Sequence, residues 1–408
     1  MLDLKKLMTN VTRDRGKWKG LMQGLSLAKR AHVSVATRLE EVPVFGTNPG
    51  NLRMFKYLPA RLPANPPLVV ALHGCTQSAA GYDLGAGWST LADRFGFVLL
   101  LPEQQRSNNP NGCFNWFQAG DIERGHGEAC SILQMVDSMV SHHRVDPSCV
   151  YITGLSAGGA MTSVMLATYP DVFAGGAVVA GLPYGAAINV QQAFETMFQC
   201  PQRSARAWGD LVRGASLHNG PWPRVSVWHG SADRSVIPAN ATAIVKQWTD
   251  VHGLPDTPSA EAMVDGYPRQ VWVNTTGDEL IESYTITNMA HGTPLATGGA
   301  DDACGAPGPF LLEVGISSSY HIAKFFGLTG ANPRNAASMP SKITVDVKHP
   351  HAVAPPASLP QPYVMEGEVL EPEWDDVRPG HTSRPPPSID VGAVIMKALT
   401  AAGLVKRS

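Results

Sequence analysis

Six short, continuous apolar runs, separated by segments long enough for a helix, mark the middle of this 408-residue chain. The runs are Leu68–Leu72, Phe97–Leu101, Val150–Thr153, Gly176–Ala180, Val225–Trp228 and Leu280–Ile286. Runs of this length suit strands that are buried on both faces, as in a parallel sheet. Val42–Phe45 and Leu52–Leu58 precede them as a predicted hairpin. The alternation therefore predicts an α/β protein with a mostly parallel, doubly wound sheet and an N-terminal hairpin.

The sequence divides into four segments that differ in composition and in the spacing of their apolar residues. Residues 1–31 carry apolar side chains at helical spacing together with eight Lys/Arg and two Asp, which predicts a basic amphipathic helix. Residues 32–330 hold the strand-and-helix pattern and form the predicted α/β domain. Residues 331–388 contain 12 prolines, which favours an extended strap or linker over a second packed core. Residues 389–408 again have a composition that suits a helix, which predicts a C-terminal helix.

Charge excludes one kind of partner and leaves another open. The formal net charge of -2 argues against a general nucleic-acid binder, which carries a basic surplus. The basic face of residues 1–31 has two interpretations. It packs on the α/β domain or on the acidic stretch 366–376, which holds six Asp/Glu, or it attaches to an anionic or apolar surface.

Hydropathy and cysteine usage exclude further classes. No run of 18 apolar residues occurs, so no membrane-spanning helix is predicted. The first 20 residues interrupt every apolar stretch with charge and lack the apolar core of a signal peptide, so the expected location is cytoplasmic. The six cysteines form no CxxC pair, and no metal site is expected.

A glycine-rich pentapeptide carries the strongest local signal. Gly154-Leu155-Ser156-Ala157-Gly158 follows the run Val150–Thr153 and precedes a helix-compatible segment, residues 160–167. This strand–turn–helix context is typical of a nucleophile elbow, where small neighbours let a strained serine stand at the strand end. The helix start behind it offers free N–H groups to a developing oxyanion. Ser156 is therefore the predicted nucleophile, the alternative being an ordinary glycine-rich turn.

A serine nucleophile needs a general base and a carboxylate that orients the base. In the chain order that this type of sheet uses, the acid and then the base follow on loops after later strands. Asp233 lies shortly after the run Val225–Trp228, and His291 lies shortly after Leu280–Ile286. These positions predict Asp233 as the orienting acid and His291 as the general base.

Other aspartates and histidines fit these roles less well. Asp210 and Asp250 do not follow a strand directly. His229 ends a strand too early in the chain order, so we expect it to be a structural hydrogen-bonding residue. His321 falls in a predicted helix and is expected to pack against the sheet.

The loop after the run Leu68–Leu72 reads His73-Gly74-Cys75-Thr76-Gln77. In this kind of fold, the loop after the third strand supplies one backbone N–H to the oxyanion, and the residue after the nucleophile supplies the other. We therefore expect the amides of Cys75 and Ala157 to form an oxyanion hole. The role belongs to the amides, so the thiol of Cys75 need not react.

A second strand-exit loop carries three aromatic residues and an asparagine within residues 111–117. This composition predicts a pocket wall with Asn115 and Trp116 in contact with substrate, and a satellite hydrophobic cluster is the alternative. Cys75 and Cys113 both lie at strand exits on this side, so a disulfide between them is geometrically conceivable.

Five stretches together resemble a known family. They are LHGCTQ (72–77), NGCFNWF (111–117), VYITGLSAGGAM (150–161), VWHGSADRSV (227–236) and AHG (290–292). They resemble poly(3-hydroxybutyrate) depolymerase family esterases, over roughly residues 40–328. The resemblance implies an α/β-hydrolase related to acetylxylan and feruloyl esterases. It also implies Ser156, Asp233 and His291 as the catalytic triad and Cys75 at the oxyanion hole.

The resemblance implies a serine esterase that needs no cofactor and hydrolyses carboxylic esters through an acyl-enzyme. The expected substrates are short-chain hydroxyacyl esters or poly(3-hydroxybutyrate)-type oligomers or polymer. The alternatives are an acetylxylan or feruloyl-type carbohydrate esterase, an acyltransferase, and a catalytically idle protein that binds polymer granules. If residues 1–31 attach to a surface and do not pack on the protein, granule contact through this segment is the expected role. Secreted members of the family make an extracellular location the alternative to a cytoplasmic one.

Overall fold

The structure is a computed structural model that describes residues 37–299 and 302–330. The segments predicted at 1–31, 331–388 and 389–408 lie outside the described residues. Within the described ranges, no helix combines the length and the apolar character that crossing a bilayer requires.

The described residues form twelve strands and nine helices. The strands are β1 (Glu40–Val42), β2 (Arg53–Tyr57), β3 (Leu68–Leu72), β4 (Val98–Glu103), β5 (Val150–Leu155), β6 (Gly175–Val179), β7 (Arg224–Gly230), β8 (Ala260–Val264), β9 (Tyr267–Val273), β10 (Glu279–Ile286), β11 (Thr293–Leu295) and β12 (Leu311–Glu313). The helices are α1 (Ala79–Ala86), α2 (Trp88–Phe95), α3 (Ala119–Ile122), α4 (Gly127–His143), α5 (Ala157–Thr168), α6 (Val190–Gln199), α7 (Ala205–Arg213), α8 (Ala239–His252) and α9 (Ser318–Phe325).

Ten strands form one sheet in the order β1-β2-β4-β3-β5-β6-β7-β10-β9-β8. The six strands from β4 to β10 in this order run parallel to one another, and antiparallel strands flank them on both sides. Because β3 lies between β4 and β5, the winding direction changes there, and loops leaving β3 and β5 open a crevice at their carboxyl ends. The predicted mostly parallel, doubly wound sheet with an N-terminal hairpin is confirmed.

The antiparallel strands β8 and β9 at the far edge were not predicted. Their turn carries an Asp265-Gly266 pair with φ of 48° and 83°, a combination that favours a two-residue hairpin. The apolar signal was weak because every residue of β8 is exposed or only partly buried. A small second sheet pairs β11 with β12, after the last strand of the large sheet.

Residues that alternate along β3 contribute to two separate cores. Leu68, Val70 and Leu72 pack with α4, α5 and α8 on one face. Val69 and Ala71 pack with α1, α2 and α9 on the other face. Both faces of the sheet are therefore covered, which explains why the apolar runs are continuous and not alternating.

Candidate active site

Ser156 lies between the end of β5 and the start of α5, with φ of 57° and ψ of -115°. A serine in this region of backbone space is strained, and such strain persists only where the surroundings enforce it. Here Ser156 N donates a hydrogen bond to Val179 O at 2.9 Å, and Ser156 O accepts one from Ala160 N at 2.8 Å. The neighbouring strand β6 and the helix behind the turn thus hold the serine at the carboxyl edge of the sheet.

Glycines around Ser156 are required because backbone from three elements meets there. A Cβ at Gly158 would lie 2.4 Å from Leu72 O and 2.6 Å from His73 O, and a Cβ at Gly154 would lie 2.4 Å from Gly158 O. Glycine at these positions lets the start of α5 approach the end of β3. The same approach brings the loop after β3 beside Ser156.

We expect Gly158→Ala to destabilise the protein by about 3 kcal/mol, because backbone oxygens cannot rotate away from the added methyl group. The end of β3 must shift instead, so ester turnover should fall as well. Urea unfolding and turnover of a p-nitrophenyl ester measure the two effects. Gly120→Ala is the matched control, because a Cβ at Gly120 would meet nothing within 4 Å. Equal stability of the two variants would contradict the packing argument.

Ser156, His291 and Asp233 form one hydrogen-bonded chain. His291 Nε2 lies 2.9 Å from Ser156 Oγ, and His291 Nδ1 lies 2.7 Å from Asp233 Oδ2. A carboxylate oxygen can only accept, so Nδ1 donates to Asp233 and Nε2 is left to accept the hydroxyl proton of Ser156. The loops after β7 and β10 that carry these residues are joined, since Ala232 N donates to Met289 O at 3.0 Å.

The Asp233 carboxyl is buried and fully bonded. Burial alone would raise its pKa, but hydrogen bonds with His229 and His291 outweigh the burial and hold the pKa well below its usual range. Its other oxygen accepts the backbone N–H groups of Ser235 and Val236 at 2.8 and 2.9 Å. Because the pKa is lowered, this group stabilises the fold above the ordinary carboxyl pKa and loses that contribution on acidification.

His229 supports the same aspartate from a second side. Its Nε2 donates to Val236 O at 2.8 Å and lies 3.4 Å from Asp233 Oδ2. Its Nδ1 has no hydrogen-bond partner within the described part of the chain. The predicted interpretation of His229 as a structural hydrogen-bonding residue agrees with these contacts.

The loop after β3 presents an unbonded amide beside Ser156. Gly74 N donates to Gln77 Oε1 at 2.8 Å, and Thr76 N donates to Asn111 O at 2.7 Å. Between them, the N–H of Cys75 finds no acceptor among the residues that the structure describes, and the same holds for Ala157 N at the start of α5. The loop is thus held by its neighbours while two amides stay available to a ligand.

A disulfide joins Cys75 to Cys113. The sequence left this bond open, and the structure forms it. It links the loop after β3 to the loop after β4, which also carries Trp116 and Phe117. The four other cysteines of the described ranges are free.

Glu128, at the start of α4, accepts hydrogen bonds from the loop after β4. Its Oε2 accepts Asn115 N at 2.8 Å, and its Oε1 accepts the side-chain amide of Gln104. Burial raises the pKa of Glu128 to about 8, and the nearby Asp121 carboxylate adds to the rise, against these hydrogen bonds. The loop after β4 is therefore held by a buried carboxyl group, Glu128, whose pKa lies near neutral pH.

We expect the free energy of unfolding to fall as the pH rises from about 4.5 to about 8, because the folded chain keeps a proton on Glu128 that the unfolded chain releases. Glu128→Gln stays neutral and should narrow the stability difference between pH 5 and pH 8.5 by about 3 kcal/mol. Urea unfolding at the two pH values measures this difference. The exposed Glu123→Gln is the control, and an unchanged pH dependence in Glu128→Gln would refute the assignment.

An apolar pocket of about 100 Å³ opens above Ser156. Trp116 and Phe117 form one wall and Phe310 forms another. Helix α6 closes the pocket with side chains at helical spacing, namely Val190, Ala193, Phe194 and Met197. Ser156 and His291 lie in its lining, together with the polar residues Thr76, Asn109 and Ser235.

The structure brings most of the predicted site residues together. Ser156, His291, Cys75 and Trp116 line the pocket, and Asp233 lies behind His291. Asn115 was predicted to contact substrate, but it lies behind the wall, where its Oδ1 accepts Asn109 Nδ2 at 3.1 Å and its N–H binds Glu128. It is buried and is not part of the pocket lining.

Sequence reasoning missed the α6 wall and Phe310. The α6 segment repeats apolar residues every three to four positions, so its helix could have been inferred, but its position over Ser156 could not. Phe310 has a φ of 63° in the loop before β12 and carries no local signature. Both become part of the site only through long-range packing.

A strained serine at this point of a doubly wound sheet is the arrangement by which α/β-hydrolases present an activated nucleophile, so fold and site define a serine hydrolase of that class. Residues 53–268 match the sequence model of the family described as Esterase PHB depolymerase. The chain belongs to this family, and it is a carboxylic ester hydrolase.

Curated relatives and a solved structure agree with this assignment. Poly(3-hydroxyalkanoate) depolymerase C of Paucimonas lemoignei is 53% identical over 293 residues, which cover 72% of this chain and 70% of the relative. Acetylxylan esterase of Coprinopsis cinerea is 35% identical over 270 residues, or 64% of this chain and 70% of the relative. The structure of acetyl xylan esterase from Aspergillus awamori superimposes with a TM-score of 0.60 at 28% identity and covers 71% of this chain and 99% of that one.

Proposed function

We propose that Ser156, His291 and Asp233 are the nucleophile, the general base and the orienting acid of an acyl-enzyme esterase. The hydrogen-bonded chain that runs from Ser156 Oγ through both ring nitrogens of His291 to Asp233 carries this proposal. Each group makes the contact that its role requires, and the strained backbone of Ser156 holds the serine in the lining of the pocket.

The reaction starts when Ser156 Oγ attacks the ester carbonyl carbon and His291 Nε2 takes the hydroxyl proton. The amides of Cys75 and Ala157 are proposed to bind the oxygen that becomes negative. As the ester C–O bond breaks, His291 returns the proton to the leaving alcohol. Water activated by the same nitrogen then attacks the acyl-enzyme and releases the acid and free Ser156. An alcohol in place of that water would give acyl transfer.

The substrate class follows from the pocket and from the relatives. A small apolar pocket over the nucleophile favours a short acyl group over a long chain. The relative from Paucimonas lemoignei is named for poly(3-hydroxyalkanoate) depolymerisation. We therefore assign short-chain hydroxyacyl esters and poly(3-hydroxybutyrate)-type oligomers or polymer as the substrates of this chain.

Carbohydrate esters are the second candidate. Acetylxylan and feruloyl esterases are among the relatives, and a solved acetyl xylan esterase shares the fold over nearly its full length. An acetyl group also suits a small apolar pocket. The two candidates differ in the alcohol part of the ester, which is a hydroxy acid in one case and a sugar in the other, and also in the acyl group.

A panel of esters tests the proposal. It compares p-nitrophenyl acetate and butyrate, hydroxybutyrate oligomers, acetylated xylan and methyl ferulate, with Ser156→Ala as the blank. Turnover of hydroxybutyrate oligomers that disappears in the blank supports the main proposal. Turnover confined to acetylated xylan or methyl ferulate would instead support the carbohydrate esterase candidate. Absence of Ser156-dependent turnover on every ester would leave the idle granule-binding protein as the better interpretation.

The Cys75–Cys113 disulfide bears on location. Disulfides persist in oxidising compartments and are rare in the cytoplasm. The bond therefore supports the extracellular alternative over the cytoplasmic location expected from residues 1–31. Contact of residues 1–31 with a polymer granule remains our proposal for the role of that segment.

A further inference from the structure

A second depression adjoins the ester pocket. It is an open groove of about 690 Å³, and Thr76 and Phe310 line both the groove and the pocket. Its other walls are mainly polar and include Gln77, Gln105 and Asn111. Since Thr76 follows the unbonded amide of Cys75, the groove begins at the point where a bound ester carbonyl would lie.

Of the three charged side chains that line the groove, Arg53 and Glu103 form an ion pair with each other, and Arg53 also pairs with Glu41. Arg53 donates two hydrogen bonds to Glu41, at 2.9 and 2.8 Å, and one to Glu103 Oε1 at 2.6 Å. The second oxygen of Glu103 accepts Ala79 N at 2.8 Å. These groups are therefore committed to one another and offer little to a ligand.

Arg106 is the exception. It is exposed on the groove wall, and its Nη1 donates a hydrogen bond to Pro110 O at 3.3 Å; within the described residues it forms no ion pair. The adjacent Asn111 O accepts Thr76 N. The loop that carries Arg106 is thus joined to the loop that carries Cys75 by this hydrogen bond and by the Cys75–Cys113 disulfide.

We propose that this groove binds the second arm of the ester and that Arg106 binds a carboxylate at the end of that arm. An ester has two arms, and the small apolar pocket takes one of them. A guanidinium with free N–H donors suits a carboxylate, which it binds through two parallel hydrogen bonds. In a hydroxybutyrate oligomer, the fragment that leaves as the alcohol carries the free carboxyl end.

The inference rests on the proposed esterase function and makes it more specific. An enzyme with this groove should prefer hydroxyacyl oligomers with a free acid terminus over the same oligomers with a blocked terminus. Neutral sugar alcohols would gain nothing from Arg106. The preference should weaken at high ionic strength, because the pair is exposed to solvent.

The test compares the 3-hydroxybutyrate trimer as free acid with its methyl ester. Wild type should favour the acid in kcat/KM, and Arg106→Gln should lower the acid-to-ester ratio by about five- to tenfold. Arg106→Lys keeps the charge and should restore part of the ratio. Arg61→Gln, at an exposed arginine that lines neither depression, should leave it unchanged.

The outcomes separate this inference from the function on which it rests. Turnover of p-nitrophenyl butyrate, which has no carboxylate, should be equal in wild type and Arg106→Gln and reports the esterase itself. An acid-to-ester ratio that Arg106→Gln does not change overturns the inference while the esterase stands. A wild type that cleaves p-nitrophenyl butyrate but neither trimer overturns both the oligomer assignment and the inference.

Discussion

Ser156→Ala is expected to lower kcat for p-nitrophenyl butyrate by about 10⁶-fold with little change in stability. The variant removes the only atom that can form the acyl-enzyme and keeps the Cβ that occupies the strained turn. The amides of Cys75 and Ala157 remain, so a residual rate above that of water should persist. Loss of this size cannot come from weaker binding, since substrate contacts in the apolar pocket are unchanged.

The measurement is steady-state turnover together with labelling by an active-site phosphonate and mass analysis of the labelled peptide. Wild type should take up one phosphonate, on the peptide that contains Ser156. Ser163→Ala is the matched control, because Ser163 is a buried serine on α5, the helix that follows Ser156, and its Oγ donates to Gly159 O at 3.5 Å. Substantial turnover or labelling in Ser156→Ala would exclude Ser156 as the nucleophile.

Asp233→Asn is expected to lower kcat by about 10⁴-fold, an effect of the size known for such aspartates in serine proteases. The amide keeps the shape of the carboxyl, and its oxygen can still accept Ser235 N and Val236 N. Its NH2 group then faces His291 Nδ1, which must become the acceptor. His291 Nε2 carries the proton in that tautomer and cannot accept the hydroxyl proton of Ser156.

This prediction is measured as a pH profile of kcat for wild type and variant, beside unfolding midpoints that show whether the fold is kept. Asp210→Asn is the control, because Asp210 is an exposed aspartate on α7 that pairs with Arg206 and Arg213. If Asp233→Asn keeps more than about 1% of wild-type kcat, Asp233 does not belong to the proposed triad. This limit lies well above the residual activity that such substitutions generally leave.

Several elements of the fold could be predicted because their signals are local. The buried strands appear as continuous apolar runs, and the order of Ser156, Asp233 and His291 along the chain follows the order of the strands that carry them. Strand β9 and the exposed β8 escaped prediction because an edge hairpin has little apolar periodicity. Its Asp265-Gly266 turn was the available signal.

The side chains that line the pocket could not be predicted in the same way from local signals. Trp116 was expected at the wall and lines it, whereas the side chain of its neighbour Asn115 lies against Asn109, whose Nδ2 donates to Asn115 Oδ1. One residue along an irregular loop reverses the direction of a side chain, and no sequence period specifies which of the two faces the ligand. The buried carboxyl of Glu128, which accepts the backbone N–H of Asn115 and so helps to position this loop, is 13 residues away in the chain.

Local sequence was sufficient for the class of sheet, the serine turn, the family and the three residues that the structure joins in one hydrogen-bonded chain. These follow from short-range patterns, because backbone strain and strand burial leave their marks on adjacent residues. The tertiary structure alone decided that α6 and Phe310 close the pocket, that Cys75 joins Cys113, and that Arg106 lines the adjoining groove without an ion pair to any residue that the structure describes. Each of these depends on contacts between segments far apart in the chain, whose side chains carry no information about the partner they will meet.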